Sequence, residues 1–343
     1  MKQLTVKSFG PVKDLVIELK AVNIFFGEQS IGKSTVAKLI TILTDYYCLN
    51  TVIIKKTEGW KQQLKAYDID EYDHGKYSVI YEFEQDNVKL RLNIESGKVV
   101  SSLQKDGITI TNKSAITKGL SRLRPIFHEE LFFNKLKETL SDVEKKDTKE
   151  VLTSLERLAC NSLYIPAERI VFSLFNKLFP ALALVKESVP QYLLRFALDL
   201  INAKSISKRF DARLLNITYL HTNPNDYFID GNSRRKYLLS QASSGIQSTL
   251  PLLLVVEYTL NHREYSSYVI EEPETNLFPE KQVDLLRYLL RNVNKEGRTI
   301  TITTHSPYLL SALNNSLFAG SLFNRYGVAI DLRGKPFAVP SRS

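Results

Sequence analysis

Hydrophobic and polar positions alternate with a period of two in several separate segments, a pattern that predicts β-strands. Near the start of the chain such strands are predicted at residues 4–6, 16–19 and 22–26. Short alternating segments between residues 77 and 110 are separated by turn residues, and they predict an antiparallel meander. Later strands are predicted at 163–165, 215–220, 227–229 and 237–239, and in two runs that end at Glu271 and His305.

Other segments repeat their apolar residues at helical spacing. They are residues 36–43, the charged stretch 129–160, the region 170–210, which Pro180 and Pro190 interrupt, and the apolar run 249–260. Residues 50–76 are polar and mixed, and they predict no particular element. We therefore expect an α/β fold with a mixed sheet, an antiparallel β-meander and an inserted helical lobe. The expected units are an N-terminal lobe at 1–128, a helical lobe at 129–210 and a C-terminal lobe at 211–343.

One glycine-rich segment stands between a predicted strand and a predicted helix. It fits the pattern G-x-x-x-x-G-K-[ST] without a mismatch, and a strand–loop–helix context favours a phosphate-binding loop over a chance match in a turn. The N–H groups of such a loop surround a phosphate, and the helix N-terminus adds a positive dipole. Lys33 would reach the β- and γ-phosphates of ATP, and the Ser34 hydroxyl would bind Mg²⁺. The predicted ATP contacts are Gly27, Glu28, Gln29, Ser30, Ile31, Gly32, Lys33, Ser34 and Thr35.

Two predicted strands end in polar residues suited to phosphate chemistry. The first ends at Glu271 and Glu272, and ligands bind at the C-terminal edge of parallel strands. Glu271 would hold Mg²⁺ directly or through a water, and Glu272 would polarise the attacking water. The second ends at His305, which would hydrogen-bond the γ-phosphate or its water. A strand running into an acidic turn, and a structural or exposed histidine, are the alternatives.

The composition is that of a globular chain with a basic surface. The 343 residues contain 46 Lys and Arg and 37 Asp and Glu, which gives a formal net charge of +9. A polyanion such as DNA suits this charge, although a solvated basic surface is its commoner meaning. Cys48 and Cys160 lie far apart without metal-like spacing, so we expect a reducing compartment and no disulfide framework. Without a signal-peptide core or an apolar run of membrane-spanning length, we expect a cytoplasmic protein with no membrane partner.

Together these segments resemble the ABC-class ATPases of the SMC, RecF and OLD type. The loop GEQSIGKST, the strand YVIEEPETNLFP and the strand ITITTHSPYLL occur in the order of that family. The resemblance implies a P-loop NTPase fold with an ABC-type head. It also implies a D-loop at the dimer interface, which Asn276 and Leu277 match, and a strand leading into the helical lobe, which YIPAER at 164–169 resembles.

The family carries one more element, a signature loop that opens a helix, and LSQASSGIQS at 239–248 is similar to it. By resemblance, Ser243, Ser244 and Gly245 would close over the γ-phosphate held by the partner subunit of a homodimer, a helix N-terminus facing an anion. An ordinary Ser-Gly helix cap is the alternative. Pro251 lies inside the predicted signature helix, so we expect that helix to kink or to begin late.

The chain departs from the family pattern in several places. Glu271 stands where the family usually has Asp, and the signature is S-S-G-I-Q rather than S-G-G-Q. The span between phosphate loop and signature is too short for the long coiled-coil arms of SMC proteins. OLD-type relatives continue into a nuclease domain, and no acidic cluster of that kind follows His305. We therefore expect either a compact ATPase or a chain whose C-terminal part is missing.

The leading hypothesis is an ATP-hydrolysing dimeric switch for DNA-linked processes, phage defence or DNA repair, acting with an effector protein such as a nuclease or toxin. The alternative is an ATP-bound scaffold that assembles or restrains an effector with little turnover. The motor of a membrane transporter and a simple kinase are both disfavoured, the first because of the β-meander and the second because of the signature. Candidate DNA contacts are Arg122, Arg124, Lys208, Arg209, Arg234, Arg235 and Lys236.

Overall fold

The computed structural model describes residues 1–85, 88–105, 108–109, 162–174, 189–222, 225–262, 265–293 and 298–326. The strands are β1 (Lys2–Phe9), β2 (Val12–Glu18), β3 (Val22–Phe26), β4 (Ser78–Gln85), β5 (Val88–Glu95), β6 (Lys98–Lys105), β7 (Ile108–Thr109), β8 (Ser162–Ile165), β9 (Arg209–Ala212), β10 (Ile217–Thr222), β11 (Asn225–Asp230), β12 (Lys236–Leu238), β13 (Ser267–Glu271) and β14 (Thr299–Thr304). The helices are α1 (Lys33–Thr44), α2 (Tyr46–Lys55), α3 (Thr57–Ala66), α4 (Ile170–Leu174), α5 (Gln191–Ile206), α6 (Ser244–His262), α7 (Pro279–Val293) and α8 (Pro307–Tyr326).

A parallel sheet with the order β3-β14-β13-β8 lies at the centre of the described structure. Strands β8 and β13 are buried along their whole length, and β14 is buried after its first residue. Apolar and β-branched side chains suit a sheet that is covered on both faces. Because its four strands run in one direction, their carboxyl ends share one edge, where ligands bind in parallel sheets.

Two antiparallel sheets are formed by the other strands, most of which lie between β3 and β13 in the sequence. The larger has the order β2-β1-β4-β5-β6-β7, and the smaller has the order β12-β11-β10-β9. The predicted meander is confirmed, since β4, β5, β6 and β7 pair in chain order. The mixed α/β fold class is confirmed as well. The inserted helical lobe falls mostly outside the described residues, and the three expected lobe boundaries stay predictions.

The buried apolar side chains form two clusters. One packs helices α1, α2 and α3 against the larger antiparallel sheet, and the other gathers α4 to α8 around the parallel sheet. Val269 of β13 belongs to the first cluster and its neighbour Ile270 to the second, because successive strand residues point to opposite faces. The parallel sheet therefore separates the two cores. None of the described helices is long and apolar enough to span a membrane.

Helices α2 and α3 occupy a stretch for which the sequence predicted no element. Lys56 separates them with a φ of +52°, which breaks the helical pattern. Trp60 of α3 is fully buried, its ring centroid lies 6.2 Å from that of Phe9, and its indole N–H donates to the Tyr77 hydroxyl. The polar residues around Trp60 give no helical pattern in the sequence, although burial of this one large side chain holds α3 in place.

Prolines affect two further helices, one at its start and one in its interior. The predicted break at Pro190 is confirmed, because α5 begins at Gln191. The signature helix α6 begins at Ser244, so the expectation of a late start is wrong, and Pro251 lies inside it. A proline has no N–H for the carbonyl four residues earlier, which here belongs to Gln247. The Ser173 hydroxyl donates to that carbonyl at 2.7 Å and fills the place of the missing helical donor.

Asp45 ties three elements together at the end of α1. Its carboxylate is fully buried and accepts the backbone N–H of Cys48 in α2 and of Ser162 in β8, both at 3.1 Å. It also accepts a hydrogen bond from the guanidinium of Arg195 in α5 at 3.2 Å. Cys48 itself is a free, buried thiol. One carboxylate thus joins the helix that follows the phosphate loop to the parallel sheet.

We predict that Asp45→Ala lowers the free energy of unfolding by about 2–4 kcal/mol, since each buried donor left without an acceptor costs about 1–3 kcal/mol. Urea denaturation measures the loss. Asp211→Ala is the matched control, because Asp211 is exposed and, among the described residues, accepts a hydrogen bond from the Thr218 hydroxyl. Its loss should stay below about 1 kcal/mol. Equal losses in the two variants would contradict the role assigned to Asp45.

Candidate functional site

The C-terminal edge of the parallel sheet gathers the segments that the sequence singled out. The glycine-rich loop follows β3, Glu271 and Glu272 lie at the end of β13, and His305 follows β14. The turn at 166–169 follows β8 at the same edge. The candidate residues come from distant parts of the chain, and the direction of the strands brings them together.

The glycine-rich loop has the backbone of a phosphate-binding turn. Gly27, Ser30 and Gly32 all have positive φ, and Gly32 is the N-cap of α1. A Cβ at Gly32 would lie 2.7 Å from Cγ2 of Val12, so only glycine fits between the loop and the β1–β2 turn. Glu28, Gln29, Ser30, Ile31 and Ser34 are exposed, whereas Gly32, Lys33 and Thr35 are buried.

Lys33, His305 and Glu272 form a continuous chain of polar contacts. The Lys33 ammonium donates to the carbonyl oxygens of Gly27, at 2.7 Å, and Glu28, and it lies 3.3 Å from Nδ1 of His305. Nε2 of His305 lies 2.8 Å from Oε1 of Glu272. An ammonium only donates, so Nδ1 accepts and the tautomer with its proton on Nε2 donates to Glu272. Burial lowers the pKa of Lys33, and the charge of Glu272 opposes that shift.

Glu272 stands on an unusual backbone. Its φ is +39°, a region that side-chain-bearing residues rarely adopt. Its N–H donates to the carbonyl of Thr303 in β14 at 2.9 Å, and its own carbonyl accepts the N–H and the hydroxyl of Thr275. These bonds hold the turn, and about a third of the Glu272 side chain remains exposed to a reactant. A partly exposed carboxylate on a fixed turn is suited to general-base chemistry.

Glu271 is buried and points at the start of α1. Burial raises the pKa of its carboxyl, and the nearby hydroxyls of Tyr164 and Ser34 oppose that shift. Its Oε1 atom is buried and has no hydrogen-bond partner among the described residues. The Ser34 hydroxyl interacts with the same carboxyl group. A carboxylate with an unsatisfied oxygen and a nearby hydroxyl, at a phosphate loop, are oxygen ligands that Mg²⁺ takes when phosphates and waters supply the rest. The residues present therefore fit the predicted metal.

Glu274 is a site residue that the sequence did not single out. Its Oε1 accepts the Thr304 hydroxyl at 2.5 Å and the backbone N–H of His305 at 3.0 Å, which fixes the histidine. Ser306 then caps α8 and donates to Gln282 of α7. The only signal for it in the sequence was the third Glu of EEPE. That signal is weak, because a glutamate in a surface turn gives the same sequence pattern as one that holds a site residue in place.

The signature segment presents part of its tip to solvent. Ser243 and Ser244 are exposed, whereas Gly245 is buried, and a Cβ there would lie 2.7 Å from the carbonyl oxygen of Asn276. The Gln247 side chain donates to the carbonyls of Ser240 and Ala242, at 3.0 and 2.9 Å, and so shapes the turn before α6. The structure places Gly245 of the signature segment against Asn276 and Leu277, the two residues that the sequence suggests as a D-loop.

The candidate DNA contacts fall into separate places. Lys208 and Arg209 lie at one end of the smaller antiparallel sheet, beside Leu220 of β10. Arg234, Arg235 and Lys236 lie at the opposite end, where β11 turns into β12. All five are exposed. Arg122 and Arg124 lie outside the described residues, so the charges that can be placed do not form one continuous surface.

Residues 1–310 match a protein-family model described as AAA ATPase domain. The match covers most of the 343-residue chain and includes the glycine-rich loop, the signature segment, the carboxylates and His305. No curated protein matches the chain.

Solved structures of SMC heads are similar to the chain. The SMC head domain from Thermotoga maritima has 15% sequence identity, and the similarity covers 90% of each chain with a TM-score of 0.44. An SMC head bound to the C-winged helix domain of ScpA has 13% identity, 90% coverage of each chain and a TM-score of 0.46. An SMC head with an extended coiled coil, bound to the C-terminal domain of ScpA from Pyrococcus furiosus, has 15% identity, 91% and 92% coverage and a TM-score of 0.41.

We predict that Gly32→Ala is more damaging than Gly75→Ala. Both glycines have positive φ, +98° and +74°, but no atom in the part of the chain that the structure describes lies within 4 Å of a Cβ at Gly75. Gly75→Ala should cost only the backbone strain, roughly 1–2 kcal/mol in urea denaturation. Gly32→Ala adds the clash with Val12 and should also weaken binding of a fluorescent ATP analogue. Equal unfolding losses with equal analogue affinity would contradict this account of the loop.

Proposed function

The chain belongs to the AAA ATPase domain family, and from that membership we propose that it binds ATP with Mg²⁺ and hydrolyses it as a dimeric switch. The observation that carries this proposal is the polar chain Lys33–His305–Glu272, at 3.3 and 2.8 Å, beside the buried and unsatisfied oxygen of Glu271. A cation, a histidine and two carboxylates at the mouth of a phosphate loop are the parts that nucleotide hydrolysis needs.

Each residue has a distinct task in the proposed reaction. Lys33 contacts the β- and γ-phosphates, and Glu272 takes a proton from the water that attacks the γ-phosphorus. The new bond joins that water oxygen to phosphorus, and the bond to the β,γ-bridging oxygen breaks to give ADP and inorganic phosphate. His305 donates to Glu272 and senses the γ-phosphate. Ser34 and Glu271 would hold Mg²⁺, which supplies positive charge against the phosphates.

The proposed partner at the ATP site is a second copy of the chain. Ser243 and Ser244 expose a hydroxyl-bearing helix N-terminus, which favours an anion. Beyond the D-loop, Phe278 is 84% exposed. Phe278 follows Leu277, whose side chain lies against Gly245 of the signature segment, and an exposed aromatic side chain favours burial against protein. Two copies placed head to tail would bury both features around two ATP molecules.

We propose that the output of this switch goes to DNA-linked processes in the cytoplasm, either phage defence or DNA repair, through an effector protein such as a nuclease or a toxin. The support is the net charge of +9 and the exposed basic groups at both ends of the smaller antiparallel sheet. ATP would drive the change by binding the closed dimer more tightly than the open form.

Glu272→Gln should lower kcat about 10²- to 10⁴-fold, because the amide cannot accept the proton of the attacking water. ATP affinity should stay within about threefold, since the phosphate loop is untouched. Multiple-turnover phosphate release and analogue binding measure the two effects.

The same measurement separates the switch from the scaffold. Wild type and Glu272→Gln that both bind ATP and are equally idle would contradict hydrolysis and favour the ATP-bound scaffold. Glu280→Gln is a matched control on the exposed first turn of α7, and its kcat should equal that of wild type.

We predict that ATP converts the Glu272→Gln protein into a dimer in sedimentation experiments. Adding Lys33→Ala should abolish this conversion through loss of phosphate contacts. Adding Phe278→Ala should weaken it about tenfold or more, because an aromatic anchor in an interface is worth about 2 kcal/mol. Val16→Ala removes an exposed apolar side chain from β2 and should have no effect. A monomer at every ATP concentration would contradict the trans-acting site.

A further inference from the structure

Arg169 is a fully buried cation, and within the described residues its guanidinium donates hydrogen bonds to backbone carbonyls. Its Nη1 donates to Pro166 at 2.8 Å and to Glu271 at 2.7 Å, and its Nη2 donates to Glu272 at 2.9 Å. Its Nε donates to Ser248 of α6 at 3.1 Å. One planar guanidinium therefore spans the end of β8, the carboxylate turn and the signature helix.

Two further hydroxyls close these contacts into a ring. The Thr275 hydroxyl donates to the carbonyl of Glu272 at 2.8 Å, and the Ser248 hydroxyl donates to the carbonyl of Thr275 at 3.0 Å. The path runs from Arg169 to Glu272, Thr275 and Ser248 and back to Arg169. The Ser248 hydroxyl also lies 3.3 Å from the carbonyl of Gly245, which accepts from it. Gly245 packs so closely against the carbonyl of Asn276 that a Cβ would lie only 2.7 Å from that oxygen.

Burial of the Arg169 guanidinium has a desolvation cost, and it places a positive charge close to the carboxylates of the site. Burial lowers the pKa of Arg169 to about 10, and the charges of Glu274, Glu271 and Glu272 oppose that shift. The guanidinium therefore keeps its proton at neutral pH. A buried charge is weak evidence for stability, because desolvation offsets its contacts. The presence of arginine here is better explained by geometry: its planar guanidinium donates to several carbonyls in fixed directions, which the ammonium of a lysine cannot do.

We propose that Arg169 is a positioning residue, which makes the carboxylate turn and the first turns of α6 move as one body. Any shift of Glu272 toward a γ-phosphate then turns the Ser244 tip of the same subunit. The nucleotide bound to one subunit thereby sets the orientation of that subunit's signature segment, which contacts the nucleotide of the partner subunit. This inference rests on the proposed function, because it assumes ATP at the phosphate loop and a second copy at the tip.

The test uses substitutions at two points of the ring in the full chain. Thr275→Val removes one hydroxyl and keeps the branched shape, whereas Thr275→Ser keeps the hydroxyl. Ser248→Ala opens the neighbouring link, and Arg169→Lys keeps the charge without the fork. We expect Thr275→Val, Ser248→Ala and Arg169→Lys to lower kcat per folded subunit at least about tenfold, because small misplacements of catalytic groups have effects of this size. Thr275→Ser should stay within about twofold.

A second readout separates positioning from a purely structural role. Analogue binding to the isolated subunit should stay within about threefold in Thr275→Val, because Lys33 and its loop are unchanged. ATP-driven dimerisation, measured in the Glu272→Gln background, should weaken about tenfold, because the tip is no longer aimed. Thr218→Val deletes a hydroxyl of similar geometry from β10, at 2.8 Å from Asp211, and should change neither readout.

The outcomes are decisive in each direction. A lower thermal midpoint with wild-type kcat and dimerisation in Thr275→Val and Ser248→Ala would overturn the inference and leave the ATPase in place. An equal loss of kcat in Thr275→Ser and Thr275→Val would also overturn it, because packing rather than the hydroxyl would then matter. A wild-type protein that neither hydrolyses ATP nor dimerises with it would remove the proposed function and, with it, this inference.

Discussion

The common direction of four hydrogen-bonded strands is the constraint on which the site depends. Strands β3, β14, β13 and β8 come from the two ends and the middle of the chain, and only their parallel pairing places their carboxyl ends at one edge. Each strand then delivers one component: a phosphate loop, a histidine, a carboxylate pair and the turn that carries Arg169. A slip of one residue in any of these strands would turn its terminal side chain to the other face.

Charge balance is the second condition. Lys33 and Arg169 lie among Glu271, Glu272 and Glu274, and the carboxylates oppose the fall that burial causes in the pKa of both cations. The two cations act differently. Lys33 has mobile donors that can follow a phosphate, whereas Arg169 has a flat fork fixed to backbone carbonyls. The site combines one adaptable positive group with one that cannot move without its surroundings.

The sequence predicted those parts of the fold whose signal is local. The meander, the strands before Glu271 and His305 and the glycine-rich loop all show a short-range pattern, and the structure has them where that pattern lies. Helix α3 was missed because its burial depends on Trp60 meeting Phe9 and Tyr77 across the fold. Arg169 and Glu274 were missed as site residues for the same reason. Their partners are carbonyl, N–H and hydroxyl groups of distant segments, and contacts of this kind leave no pattern in the sequence.

Pro251 has a consequence for how α6 can move. Its missing N–H leaves the Gln247 carbonyl to the Ser173 hydroxyl, a donor on another helix. An ordinary helix can slide or rotate along a neighbour and keep its internal bonds. Here a sliding or rotation of α6 against α4 would leave the buried Gln247 carbonyl without a donor. The proline therefore favours one relative position of the two helices. Motion at this place is then expected to be a tilt of α4 and α6 together.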